Sequence, residues 1–290
     1  MTSEPTVAGH KVLRLLASGA RSQVWLAAGD IVLKVLTPPV PVAAPGREAE
    51  ALHRARGEHV VELLDVSLGA GGAVLVFPRL PRGSLAEVLS RRGYLDAGEA
   101  VTILAPIATC LTRLHSAGVA HAALTPDAVL FRADGAPMLT GFGHSELFEP
   151  GIPEVERERI AGVIADRESL RALADAVLAR TTGARAKAAS RLRDEWRDLA
   201  PGLLAERMAA ELFELAAARP VRFEADEAEP DGHTGRVVAV AEAPVAEPAA
   251  EREGRIMPAI AVRLLDSGPA SLVRDAVSRR WAIWSVRRRR

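Results

Sequence analysis

The chain of 290 residues has a formal net charge of zero, so no global field draws it to nucleic acid, and it is long enough for one large domain or two modest ones. Its single cysteine, Cys110, excludes an intramolecular disulfide and a cysteine-based metal cluster. Met1 to Arg14 lacks the apolar core of a secretory leader, and no run reads as the ~20 apolar residues of a spanning helix, so the expectation is a cytoplasmic protein.

In chain order the first elements are short strands. KVLRLLA (11–17), SQVWLAA (22–28) and DIVLKVL (30–36) are separated by the turns SGARS and GD. Pro38, Pro39, Pro41 and Pro45 make a stiff loop before REAEALHRAR (47–56), a run of good helix formers. Two further strands, VELLDVSL and AVLVFPRL, flank GAGG at 69–72, a hairpin turn. The period then changes. Asp96 and Glu99 form a capping-box pattern ahead of an apolar stripe from Val101 to Leu114, which Pro106 is expected to kink. AVLF and APMLT flank the turn ADG at 133–135, and Val155 to Ala218 is dominated by helix formers, with ESLRALADAVL the most regular stripe. Strands first and helices after is an α+β layout with two sub-lobes.

Past Phe223 the composition shifts. Residues 224–254, rich in Ala, Pro and Glu, carry nine acids against Arg236 and Arg252 and read as an acidic disordered linker. Residues 255–290 carry nine arginines against Asp266 and Asp275. Within this basic tail Val273, Val277, Trp281 and Trp284 fall on one helical face, and Arg287 to Arg290 close the chain. Such an amphipathic end can lie peripherally on an anionic membrane surface, clasp a protein partner, dock on its own domain or bind nucleic acid nonspecifically; the last is the least favoured. The acidic linker could transiently screen it.

Taken in order, residues 10–223 resemble a bacterial Ser/Thr protein kinase domain of the eukaryotic type. The resemblance implies a two-lobed α+β fold with a small antiparallel β-rich N-lobe (about 10–80) and a mostly helical C-lobe (about 84–223). In LASGARSQVW, Gly19 stands at the middle glycine of the phosphate-binding hairpin, while Ala17 and Ser22 replace the outer two. Lys34 matches the strand lysine that pairs with ATP phosphates, and Glu48 its helical partner; lysine is rare here, only Lys11, Lys34 and Lys187. By the same resemblance Val24, Val32, Phe77, Pro78, Leu80 and Leu130 line an adenine site. Val32 replaces a smaller residue and should crowd the ring.

The family's catalytic loop and metal-binding turn are altered. In HAALTPDAVL the positions of the catalytic Asp, the Lys and the metal-binding Asn hold Ala123, Thr125 and Ala128. His121, Leu124 and Pro126 remain, and Asp127 is expected to point away from the cleft. The DFG turn reads Gly141-Phe142-Gly143, without its carboxylate. Elements that serve folding persist: Glu154 in Ile152-Pro153-Glu154 stands at the APE glutamate, Asp166 begins DRESL, and Arg219-Pro220 matches the late arginine, which implies a buried Glu154–Arg219 salt bridge. The resemblance thus points to a pseudokinase, a binding, scaffolding or regulatory module that takes ATP or ADP weakly and without Mg²⁺ and acts on a protein partner. Two alternatives stand beside it: an atypical phosphoryl or nucleotidyl transferase built on Lys34, and an interaction protein whose cleft is closed by Val32 and Phe77.

Overall fold

A computed structural model describes residues 5–36, 43–69, 72–199 and 201–223. The acidic linker, the basic tail with Trp281 and Trp284, and most of the proline loop before the first helix lie outside the described residues.

The first lobe is an antiparallel sheet of six strands, β1 (Thr6–Val7), β2 (His10–Ser18), β3 (Ser22–Ala27), β4 (Ile31–Leu36), β5 (Asp65–Gly69) and β6 (Gly72–Pro78), in the order β1-β2-β3-β4-β6-β5. The helix α1 (Ala43–Ala55) is inserted between β4 and β5. Register shifts between Val12 and Arg14 and between Leu15 and Ala17 bend the β2–β3 ribbon. Period-two alternation then decides what each face does. On β4, Ile31, Leu33 and Val35 pack with Val12, Ala27, Val74 and Val76 in a small core, leaving Val32 and Lys34 on the opposite face.

The second lobe is built on α3 (Ala97–Ser116), preceded by α2 (Leu85–Arg91). Both helices start with a complete capping box, Ser84 with Glu87 and Asp96 with Glu99. The α3 helix continues past Pro106 for ten residues. It is long and apolar enough to cross a membrane, but 72% of its most apolar window is buried in the domain, as the central helix of a core requires. Ile103, Leu104, Ile107 and Leu111 of α3 meet Leu170 and Val177 of α5 (Ala161–Leu178) and Leu204, Met208 and Leu212 of α7 (Pro201–Leu215) in one continuous cluster. The short helices α4 (Glu154–Arg157) and α6 (Ala186–Asp198) complete the lobe. Two small ribbons, β7 (Val119–Ala120) with β10 (Glu146–Leu147) and β8 (Val129–Phe131) with β9 (Pro137–Leu139), bracket the loop at 121–128. The expected two-lobed α+β layout is what the chain adopts.

Residues 216–223 form a strap across the start of α3. Arg219 N–H donates to Gly98 O at 3.0 Å, Thr102 Oγ1 donates to Arg219 O at 2.6 Å, and Arg222 N–H donates to Glu99 Oε1 at 2.8 Å. Glu99 is buried and also holds the Arg92 guanidinium through both oxygens at 2.6 and 2.8 Å. The Glu154–Arg219 bridge is absent. Glu154 instead pairs with Arg157 and Arg167 and is 45% exposed, while Arg219 reaches Asp96 at 3.5 Å. The strap fixes Arg219 by its backbone at the N-terminus of α3, and Arg167, on the first turns of α5, takes the glutamate.

Burial alone would raise the Glu99 pKa, but the Arg92 guanidinium and the N–H groups of Arg222 and Asp96 outweigh it and hold it at about 2, below its usual 4.5. A depressed folded-state pKa contributes stability that is complete above pH 4.5 and is lost as pH falls towards 2. Glu99→Gln should therefore lower the melting midpoint most near neutrality, and its gap from wild type should narrow steadily below pH 4.5. Parallel melts from pH 7 downwards test this, and a gap independent of pH would remove the charge from the account.

Candidate functional site between the lobes

Where the two lobes meet there is a cleft with a cavity of about 960 Å³, near the upper end of ordinary ligand sites. Val24 and Val32 of the sheet form one wall. Phe77, Pro78 and Leu80 form the connector side, Leu130 lies on β8, and Thr140 and Gly141 close the back. Val32 and Phe77 are walls of an open cleft, so the expectation that they close it does not hold. Gly19 is not among the lining residues. Its N–H donates to Ser22 O at 2.9 Å, which closes the hairpin tip on itself, and Ala17 lines the cleft instead.

Inside the cleft Lys34 Nζ donates to Glu48 Oε1 and Oε2 at 2.7 and 2.8 Å. Glu48 is buried and Lys34 keeps 19% side-chain exposure, so the pair is anchored from α1 and open to the cavity through the lysine. The turn at 141–143 lies against it. A Cβ added at Gly143 would sit 3.0 Å from Lys34 Nζ and 3.3 Å from Glu48 Oε2, so glycine is what lets the turn approach the pair.

The loop at 121–128 is held from below by Asp166, fully buried on α5. Its carboxylate accepts from His121 N–H at 2.8 Å and Ala122 N–H at 2.7 Å, and lies 2.9 Å from His115 Nε2. Ala122 has φ of +60°, a left-handed conformation costly for a residue with a Cβ, and these bonds keep it there. His121 Nε2 faces Thr140 O at 2.7 Å, which requires the proton on Nε2, and leaves Nδ1 to accept from Ala123 N–H at 3.4 Å. Burial lowers the His121 pKa, in keeping with this neutral ring. The buried Phe142 ring stands edge-on to His121, with centroids 4.9 Å apart.

The altered positions cluster around this frame. Thr140 N–H donates to Ala128 O at 2.8 Å, and a Cβ on Gly141 would lie 3.8 Å from Ala128 Cβ. Ala123 and Thr125 lie on the same loop, where they bring a methyl and a hydroxyl. Asp127, on the 3-10 turn Pro126–Ala128, is an exposed residue at the edge of the cleft lining. Sequence reasoning missed three further features: His115 as a second partner for Asp166, the close approach of Gly143, and a rim of arginines supplied by separate elements. No local pattern marks residues that meet only in the folded chain. Among the described residues no group of three or more His, Cys, Asp or Glu is placed to hold a metal ion.

The protein kinase domain family matches residues 37–162 of the chain. The domain is kinase-like. Over 99 residues the chain is 35% identical to the serine/threonine-protein kinase PknK of Mycobacterium tuberculosis, which covers 33% of this chain and 9% of that protein. It is 37% identical over 102 residues to CBL-interacting protein kinase 22 of Oryza sativa subsp. japonica, covering 34% of this chain and 23% of the relative. A third relative, the probable serine/threonine-protein kinase PkwA of Thermomonospora curvata, is 27% identical over 143 residues, 46% of this chain and 19% of its own length. The chain therefore spans less than a quarter of the length of each of these relatives.

Asp166→Ala removes the acceptor shared by His115, His121 N–H and Ala122 N–H and releases the strained Ala122. The expected loss is about 3 kcal/mol in urea unfolding at unchanged m-value. A loss under about 0.5 kcal/mol would show that the loop keeps its shape without this anchor.

Proposed function

We propose that this kinase-like domain is a pseudokinase, a regulatory or scaffolding module that binds ATP or ADP weakly and without Mg²⁺ and works through a protein partner in the cytoplasm. The observation that carries this reading is the Lys34–Glu48 pair. It is formed and faces an open apolar cleft, while the positions that would supply carboxylate and amide ligands hold Gly141 and Ala128. ATP fits the residues present: Val24, Val32 and Leu130 can cover an adenine, and Lys34 can neutralise phosphate. Mg²⁺ does not fit them. A general base contributes about 10²–10⁴-fold to catalysis, and losing it together with the metal ligands removes most of what drives phosphoryl transfer. The cytoplasmic assignment rests on the one thiol, Cys110, which has no cysteine in the chain to pair with and suits a reducing compartment.

The test is thermal stability with ATP or ADP, with and without Mg²⁺, in wild type and Lys34→Ala. At ~100 times the dissociation constant the ligand should stabilise the fold by about 2.7 kcal/mol. The expected result is a rise in melting midpoint that needs no metal and disappears in Lys34→Ala. No rise at any nucleotide concentration would sink the nucleotide part of the reading.

A second reading, that of an atypical ATP-dependent transferase, starts from Asp127, the one acidic residue of the loop at 121–128, which is among the residues lining the cleft. A midpoint shift that requires Mg²⁺ and is lost in Asp127→Asn would favour it. The reverse experiment restores the missing groups as Ala123→Asp, Ala128→Asn and Gly141→Asp. Beyond the adjoining residues, the nearest atom to a Cβ at 141 is Ala128 Cβ at 3.8 Å, and aspartate tolerates the left-handed φ of +84° better than most residues. The triple variant should acquire a Mg²⁺-dependent component in its nucleotide shift. Failure to do so would place the barrier to metal in the shape of the cleft rather than in these three side chains.

A further inference from the structure

The sheet register gives the interlobe cleft two ends. Lys34 pairs across the strands with Val24, and Val24 with Ala17. The next row on the same face runs from Arg14 through Leu26 and Val32 to Phe77, where the connector begins. Val32 and Lys34 are two residues apart, which separates the rows by about 7 Å along the strands. Arg14 stands two strands from Val32, about 10 Å away, at the outer end of the connector row. The two register shifts of β2 lie on either side of Arg14 and Leu15, and bulges re-aim the side chains beside them. Arg14 is exposed and lines the cleft.

The helical lobe brings a second cation to the connector side. Ser84 bridges to Leu130 and caps α2, whose Val88 and Arg91 continue the lining. Arg91 is seven residues on from Ser84, about 10 Å along the helix. Glu87, one turn before Arg91, turns back on the capping box, where it accepts from Ser84 N–H at 3.3 Å. The other arginines of the lining are engaged. Arg79 pairs with Asp30, Arg92 and Arg222 share Glu99, and Arg82 donates to Ala133 O at 2.7 Å and lies over the Phe223 ring. Among the described residues Arg14 and Arg91 have no hydrogen-bond or ion-pair partner. Asp127, also exposed, adds one negative charge to the lining.

We propose that the cleft selects adenine nucleotides that carry a second anionic group, a phosphate on the ribose, and that Arg14 and Arg91 take this phosphate from the two lobes. The inference rests on the nucleotide reading and names the ligand class of that site. With the base covered by Val24, Val32 and Leu130 and the 5′-phosphates at Lys34, the ribose is the part that can carry a charge toward the connector side. A guanidinium matches phosphate with paired N–H donors, whereas the Lys34 ammonium, already bonded to Glu48, acts as a point charge. The cavity of about 960 Å³ lies near the top of the ~300–1,000 Å³ range of ligand sites, so it has room for the added group.

The experiment is isothermal titration calorimetry of the full chain without Mg²⁺, with ADP, ATP, and ADP phosphorylated at the ribose 2′ or 3′ hydroxyl. One of the two ribose-phosphorylated isomers should bind at least about tenfold more tightly than ADP. With Arg14→Gln and Arg91→Gln combined, that ratio should fall to about one. The ratio of ATP to ADP, whose difference in charge lies at the 5′ end, should keep its wild-type value. Both arginines are exposed, so an unchanged melting midpoint is expected for the double variant. Equal binding of ADP and both isomers overturns the proposal and leaves the nucleotide reading standing. A gain that survives in the double variant overturns it too. So does a parallel loss of the ATP ratio, which would mean that the arginines act through overall charge. No binding by any of the four ligands removes both readings.

Discussion

The buried carboxylate of Asp166 is the constraint on which the cleft depends. It ties α5 to α3 through His115 and to the loop at 121–128 through two backbone N–H groups. His121, so placed, meets Thr140 O and the edge of Phe142. The turn carrying Phe142 packs against α1, and Gly143 brings it against the Lys34–Glu48 pair. One anion in the helical lobe thus sets, through a short series of hydrogen bonds and ring contacts, the position of an ion pair in the sheet lobe. Every link in the series is buried or half-buried, and a buried polar group left without its partner is costly.

That cost explains what the chain retains. His121, Asp166, Phe142, Lys34 and Glu48 hold one another, so removing any of them leaves an unsatisfied group or a void. Ala123, Thr125, Ala128 and Gly141 stand at positions where the fold asks only for a small or turn-forming residue. Side chains that would act on a substrate or a metal contribute little to folding, and carboxylates without a cation would add repulsion next to the buried Glu48. A domain whose selection rests on shape can lose those groups without losing its architecture. This is the physical content of the pseudokinase reading, and it concerns the site rather than the fold.

The same division governs how much could be read in the sequence. The five main strands, the Asp96–Glu99 capping box and the Lys34–Glu48 pair were legible, because alternation, cap chemistry and ordered spacing are local or nearly so. The partner of Glu154 was not. Arg167 lies beside Asp166 in DRESL, and only the direction of α5 shows that it, and not Arg219, reaches the glutamate. Gly19 was over-read, since its N–H is spent within its own hairpin. The arginine rim had no local signal at all, because its members come from four separate parts of the chain.

The cleft divides its electrostatics by depth. Lys34 lies inside, its charge already matched by Glu48, so it can orient an anion but supplies little net attraction. Exposed arginines such as Arg14, Arg79 and Arg91 also line the cleft, where water and salt reach them and where interactions fade over a Debye length of about 8–10 Å. In a cleft that also holds metal, the attraction would be concentrated at the reacting phosphates. Here these arginines share the lining with residue 223, which the strap delivers. On the proposed reading, an anion would meet the rim before it reached the buried pair. The two steps differ in their sensitivity to salt, because screening weakens exposed charges far more than a pair anchored by a buried carboxylate.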